Sequence, residues 1–199
     1  MEKTQDNLVA LVGSRICHDL ISPIGAISNG VELMSMAGSS GEQELALITE
    51  SVENANARIR FFRVAFGVAH ADQMLGGREI AGILSDLSKG SRFSINWQVG
   101  TDLPRAEARV AFLLLLCFET AMPFGGECTV TRDGESWKLE GTAPKMRQED
   151  GHWVLITDPD GGHEISASIV HFALAPDVAS RIDRQIRVER DPTWICLTF

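Results

Sequence analysis

Apolar residues recur at three- and four-residue steps through the first third of the chain. One series runs Val9, Val12, Ile16, Leu20, Ile24, Ile27, Val31 and Met34. That period predicts an α-helix with a single apolar stripe, roughly 40 Å long. The stretch AGSSGEQE (37–44) is a turn with helix-start chemistry. A second series follows at Leu45, Ile48, Val52, Ala55, Ile59, Phe62 and Phe66, alternating three and four like a heptad seam. Two long helices and a short turn predict an antiparallel hairpin. One hairpin has little to bury its seam against. Pairing with a second copy would give a homodimer closed as a four-helix bundle; the alternative is packing on the rest of its own chain.

From about residue 74 the pattern changes. REIAGILSDLSK reads as a short helix, and SRFSINWQV as a strand with Phe93, Ile95 and Trp97 alternating. PRAEARVAFLLLLCFETAM reads as a buried helix with a proline-led start. GECTVTRDGESWKLEG predicts two strands around the turn Arg132-Asp133-Gly134-Glu135. Residues 146–185 read as mainly helical, with breaks at Asp158-Pro159 and Pro176, and 186–199 as a closing hairpin. This order predicts an α+β chain: a helical hairpin over 1–70, then an α/β layer domain over 74–199. The boundary falls near GVAHADQMLGG (67–77).

Within the first helix, SRICHDLISP (14–23) is unusual, with His18, Asp19 and Pro23 in one turn and a half. At about 100° per residue, His18 lies roughly 200° from Ile16, opposite the apolar stripe. Its neighbours there are Leu11, Ser14, Ile21, Ser22, Gly25 and Asn29, none of them charged. A solvated helix face would carry Lys and Glu. A glycine inside a helix costs about 1 kcal/mol against alanine, which close approach by another molecule would explain. The face therefore reads either as a docking strip with an exposed imidazole, or as a face covered by another part of the chain. Pro23 removes a backbone hydrogen bond and predicts a local irregularity. Asp19 can steady the imidazole, and histidine is a competent nucleophile. Arg15, at the edge of this face, can meet a phosphate or pair with Asp19 one turn on. Zinc ligation by His18 is disfavoured, because the positions one turn away hold Ser14 and Ser22.

Composition narrows the classes. The formal net charge is −9, with 18 Lys and Arg against 27 Asp and Glu, so no basic stripe suits nucleic acid. Cys17, Cys117, Cys128 and Cys196 are far apart and form no CxxC pair, which argues against a structural zinc or a disulfide framework. MEKTQDNLVA lacks a signal-peptide pattern, and the longest apolar run, VAFLLLLCF (110–118), is too short to span a bilayer. The expectation is a cytoplasmic protein, with no membrane or nucleic-acid partner.

His18-Asp19-Leu20-Ile21-Ser22-Pro23 resembles the phosphoacceptor box of sensor histidine kinases. SRICHDLISPIGAISNGVELM (14–34) looks more specifically like the ChpT-type bacterial histidine phosphotransferases. The kinase-type nucleotide motifs are altered. Where an asparagine-alanine pair is expected, the chain has Thr120-Ala121, and Leu139-Glu140-Gly141-Thr142-Ala143-Pro144 replaces the Asp-x-Gly-x-Gly box. TDPDGG (157–162) reads as a surface turn rather than a nucleotide loop. The resemblance implies a degenerate, kinase-like ATPase domain. It implies a phosphorelay role in two-component signal transduction: His18 takes a phosphoryl group from the receiver aspartate of a hybrid kinase and passes it to a response regulator. Asp19 would assist. Leu11, Ser14, Arg15, Ile21, Ser22, Gly25 and Asn29 would face the partner, with Ser22 at a position associated with dephosphorylation. No cofactor or metal is expected on this chain, Mg²⁺ coming with the receiver. The competing class is a scaffold dimer that binds receivers or kinases without chemistry.

Overall fold

The computed structural model describes residues 2–37, 41–70 and 72–199. Both predicted long helices form: α1 spans Glu2–Ala37 and α2 spans Glu42–Ala65. They pack along their length as a hairpin. Residues 38–40 of the expected turn lie outside the described residues. Gly30 sets the closest approach: a Cβ there would sit 2.6 Å from Ile48. Pro23 lies inside α1 without ending it. Its missing N–H leaves the Asp19 carbonyl without an intrahelical donor.

The remaining elements are β1 (Met74–Leu75), α3 (Gly77–Ser88), β2 (Phe93–Trp97), β3 (Leu103–Pro104), α4 (Arg105–Ala121), β4 (Gly126–Asp133), β5 (Ser136–Thr142), α5 (Asp150–Thr157), α6 (Val170–Ser180), β6 (Arg187–Asp191) and β7 (Trp194–Thr198), with a 3-10 turn at Ala167–Ile169. Five strands form one sheet in the order β2-β4-β5-β7-β6; β2 and β4 are parallel and the other pairs antiparallel. β1 and β3 form a separate two-residue antiparallel ladder. The α+β class is as expected.

The core forms around α4, whose residues Val110 to Phe118 are all buried. One side packs on the sheet, where a Cβ on Gly141 would fall 2.4 Å from Phe118. The other sides meet α6 and the end of α2, with the Phe61 and Phe112 rings stacked 4.7 Å apart. The core is therefore continuous from Phe61, Phe62, Val64 and Ala65 of the hairpin into the sheet. Along β5, Trp137, Leu139 and Gly141 face this core while Lys138 and Glu140 face outward, the alternation of a sheet covered on one side.

Three local expectations shift. The β4–β5 turn lies one residue later, because Asp133 pairs with Ser136 and Gly134 takes the positive φ of 57°. Residues 146–185 contain only two helices and the 3-10 turn; α5 stops before Asp158-Pro159 as expected, but α6 runs through Pro176. The burial of Phe172, Leu174, Ala175 and Val178 holds α6 together despite one missing bond. Pro104 precedes α4 as its cap and pairs in β3 rather than opening the helix. One further difference concerns apolarity: over Asn7–Met36, α1 is long and apolar enough by length and composition to cross a membrane. Its apolar residues are interrupted along the sequence by Gly, Ser, Asn and a few charged residues, so no single apolar run registers it although its average apolarity is high.

Two glycines separate packing from propensity. Gly141→Ala is expected to destabilise by about 1–3 kcal/mol, through overpacking against Phe118 and Met122. Gly82→Ala, in α3 with no atom within 4 Å of the added methyl, is expected to stabilise by about 0.5–1 kcal/mol. Urea unfolding midpoints of the two variants check both signs.

Candidate functional site

The His18 side chain is 85% exposed, whereas its neighbour Asp19 retains 12% exposure. The helical phase that placed His18 opposite Ile16 therefore describes its direction correctly. Nδ1 of the imidazole lies 3.2 Å from Asp19 Oδ1. A carboxylate only accepts, so this contact places the ring proton on Nδ1 and leaves the Nε2 lone pair facing solvent.

Asp19 is held from the other side. Arg15 donates from Nε to Asp19 Oδ2 at 3.0 Å and from Nη1 to the Ser168 carbonyl at 2.7 Å. Of the two roles open to Arg15, the structure shows the pairing with Asp19 one turn on. Ser168 belongs to the 3-10 turn before α6, so this contact ties the hairpin to the α/β layers. A second tie lies nearby: Arg58 of α2 donates two hydrogen bonds to Glu119 of α4, at 2.9 and 2.7 Å. Burial works to lower the Arg58 pKa, but attraction and hydrogen bonding from Glu119, with the charge of Asp19, raise it overall.

Ser14, Ile21 and Ser22 are exposed within about a turn of His18, Asn29 is exposed about three turns further along α1, and Gly25 is half-buried with no atom within 4 Å of an added Cβ. Ile21, one turn from His18, is 67% exposed, and Ile24, expected within the core stripe, is 57% exposed instead. Leu11 departs from the expected strip: it is half-buried and packs against the core. The 3-10 turn and α6 lie against α1, covering one side of the face that helical phase alone treats as free. Arg15 is drawn inward for the same reason. The sequence pattern missed Arg58, Glu119 and Ser168, because their pairing is long-range and carries no periodic signal.

The altered nucleotide motifs have structural consequences. The Thr120 hydroxyl lies 3.1 Å from Nε2 of His171, a fully buried residue of α6. Glu140 lies on the outer face of the sheet, where it pairs with Lys138 at 2.9 Å. TDPDGG is a surface turn, as expected, with Asp158 bonded to His163 and Gly162 at φ 69°. Among the described residues, no group of three His, Cys, Asp or Glu side chains is placed to hold a metal ion. A groove of about 860 Å³ lies between α2 and the end of α3, lined by residues including Arg58, Arg63, Asp86 and Lys89.

Residues 77–193 match the histidine phosphotransferase C-terminal domain family. A Brucella abortus (strain 2308) protein described as protein phosphotransferase ChpT is 36% identical over 130 residues, which cover 64% of this chain and 62% of that relative. A solved bacterial phosphotransferase is 28% identical, with a TM-score of 0.82 over 96% of this chain and 95% of its own. The fold is thus shared from α1 to β7.

His171 makes a pH-dependent prediction. Burial first, then the charges of Arg15 and His152, pushes its pKa well below 6.5. The folded state then stays neutral where the unfolded chain takes up a proton. Stability is therefore expected to fall as pH drops below about 6.5, by up to about 1.4 kcal/mol per unit from this residue. Denaturation of wild type and His171→Gln between pH 7 and 5 checks this: the variant should lose that part of the slope.

Proposed function

Because the chain belongs to the histidine phosphotransferase family, we propose that it is a relay protein of two-component signalling in which His18 carries the phosphoryl group. The group comes from the aspartyl phosphate of a hybrid-kinase receiver and goes on to a response-regulator aspartate. The observation that carries this reading is the exposed imidazole whose Nδ1 faces a nearly covered carboxylate. Nε2 forms the new N–P bond as the acyl P–O bond breaks, and the receiver aspartate leaves as carboxylate. The ring, still protonated on Nδ1, is then cationic, and Asp19 neutralises that charge until the proton departs. Phosphoryl transfer of this kind depends chiefly on alignment and charge stabilisation; Mg²⁺ would arrive with the receiver.

In this reading Ser14, Ile21, Ser22, Gly25 and Asn29 form the docking strip. The chain does not use ATP, a view supported by the engagement of Thr120 with His171 and by Glu140 facing away from the helices. The hairpin, residues 1–70, acts as the dimerising and phosphoryl-bearing part, with 74–199 as the kinase-like part. Homodimerisation through a four-helix bundle is supported by the exposed seam: Val31, Leu45, Val52 and Ile59 are each at least 40% exposed. Such a bundle would operate in the cytoplasm.

Incubation with a ³²P-phosphorylated receiver should label the wild-type chain and leave His18→Ala unlabelled. Labelling of His18→Ala would sink the relay assignment. A variant that binds receivers normally while signalling output stays intact would favour the scaffold instead. Light scattering should give twice the chain mass, with Val52→Glu shifting it to one; an ATP titration should show no binding.

A further inference from the structure

The two oxygens of Asp19 are divided between two partners. Oδ1 faces His18, while Oδ2 accepts from Arg15. Arg15 is itself fixed at its far end by the Ser168 carbonyl, and both Arg15 and Asp19 keep only 12% exposure. Asp19 has a competing cation close by in Arg58, which its charge reaches. Arg58, however, is occupied by the two oxygens of Glu119. Which way the Asp19 carboxylate faces is therefore decided by Arg15, whose planar fork meets an oxygen at each end, as a lysine ammonium cannot.

We propose that Arg15 is a positioning residue for phosphoryl transfer, acting through Asp19 and anchored by the Ser168 carbonyl, so that the turn before α6 governs the orientation of the His18 ring. Arg15 does not touch the phosphoryl group. It holds Oδ2 so that Oδ1 stays on Nδ1, which keeps the Nε2 lone pair outward. The chain of contacts Ser168–Arg15–Asp19–His18 makes the α/β layers part of the reacting site. The inference rests on the phosphotransfer reading for its rate effect but not for its structural effect.

The test uses the full chain with phosphoramidate as donor, so that no receiver is needed. Its P–N bond breaks as the His18 N–P bond forms, and the nitrogen leaves as ammonia after taking a proton from solvent. Arg15→Gln should label roughly tenfold more slowly than wild type, the scale of a modest misplacement of reacting groups. In the Asp19→Asn background the same substitution should cause no further loss, because residues acting through one another are non-additive. NMR of ¹⁵N-histidine-labelled protein should show neutral His18 protonated at Nδ1 in wild type, moving toward a mixture of both tautomers in Arg15→Gln. Arg15→Lys, which keeps the cation, should move both readouts the same way by less and serves if the glutamine variant does not fold. A slower rate with an unchanged tautomer, or rate losses that multiply across the two backgrounds, would overturn the proposal. If the tautomer shifts as expected but His18→Ala is still labelled, the orienting role stands and the relay assignment falls.

Discussion

The burial of α4 constrains everything else. From Val110 to Phe118 no residue of this helix reaches solvent, so it must be covered on every side. A helix apolar all round belongs in the middle of a fold. The sheet covers one side, α6 another, and the aromatic end of α2 a third. The last of these matters most, because it makes Phe61 and Phe62 part of the same core as Leu139 and Leu197. The hairpin is thereby held at its lower end by a packed interior, and the position of α1 follows from that anchorage.

Two polar ties then set the site within this frame. Arg58–Glu119 and Arg15–Ser168 both cross from the hairpin to the α/β layers. Arg58–Glu119 is part-buried, so it is screened less than a surface pair. Between the two ties lies Asp19, nearly covered and turned toward the imidazole. The result is an imidazole projecting from a support tied to the α/β layers, with Ile21 as exposed apolar surface beside it. The contrast between His18 and His171 is instructive. The first is exposed beside a carboxylate; the second is buried, held neutral, and engaged by Thr120.

Much of this was legible in the residues. The steps of three and four from Val9 to Met34 and from Leu45 to Phe66 determine two helices, because side chains at those spacings share a face. Alternation at Phe93, Ile95 and Trp97 determines a strand for the same geometric reason. The direction of His18 follows from its angle to Ile16, and Asp158-Pro159 ends α5 because proline disfavours helix in the residue before it. Where the reading slipped, local signals met tertiary packing. Pro176 does not break α6 because burial outweighs one lost hydrogen bond. Leu11 is not free because it packs against the core that the hairpin shares with the α/β layers.

The sequence by itself determined the elements, the α+β class and the outward face of His18, all consequences of periods and backbone preferences within a few residues. The tertiary structure alone decided that Arg15 binds Asp19 and Ser168, that Glu119 occupies Arg58, that Thr120 meets His171, and that Glu140 faces away from the helices. Those are pairings between distant segments. They depend on how the sheet, α4 and the hairpin come together, and no local pattern records that.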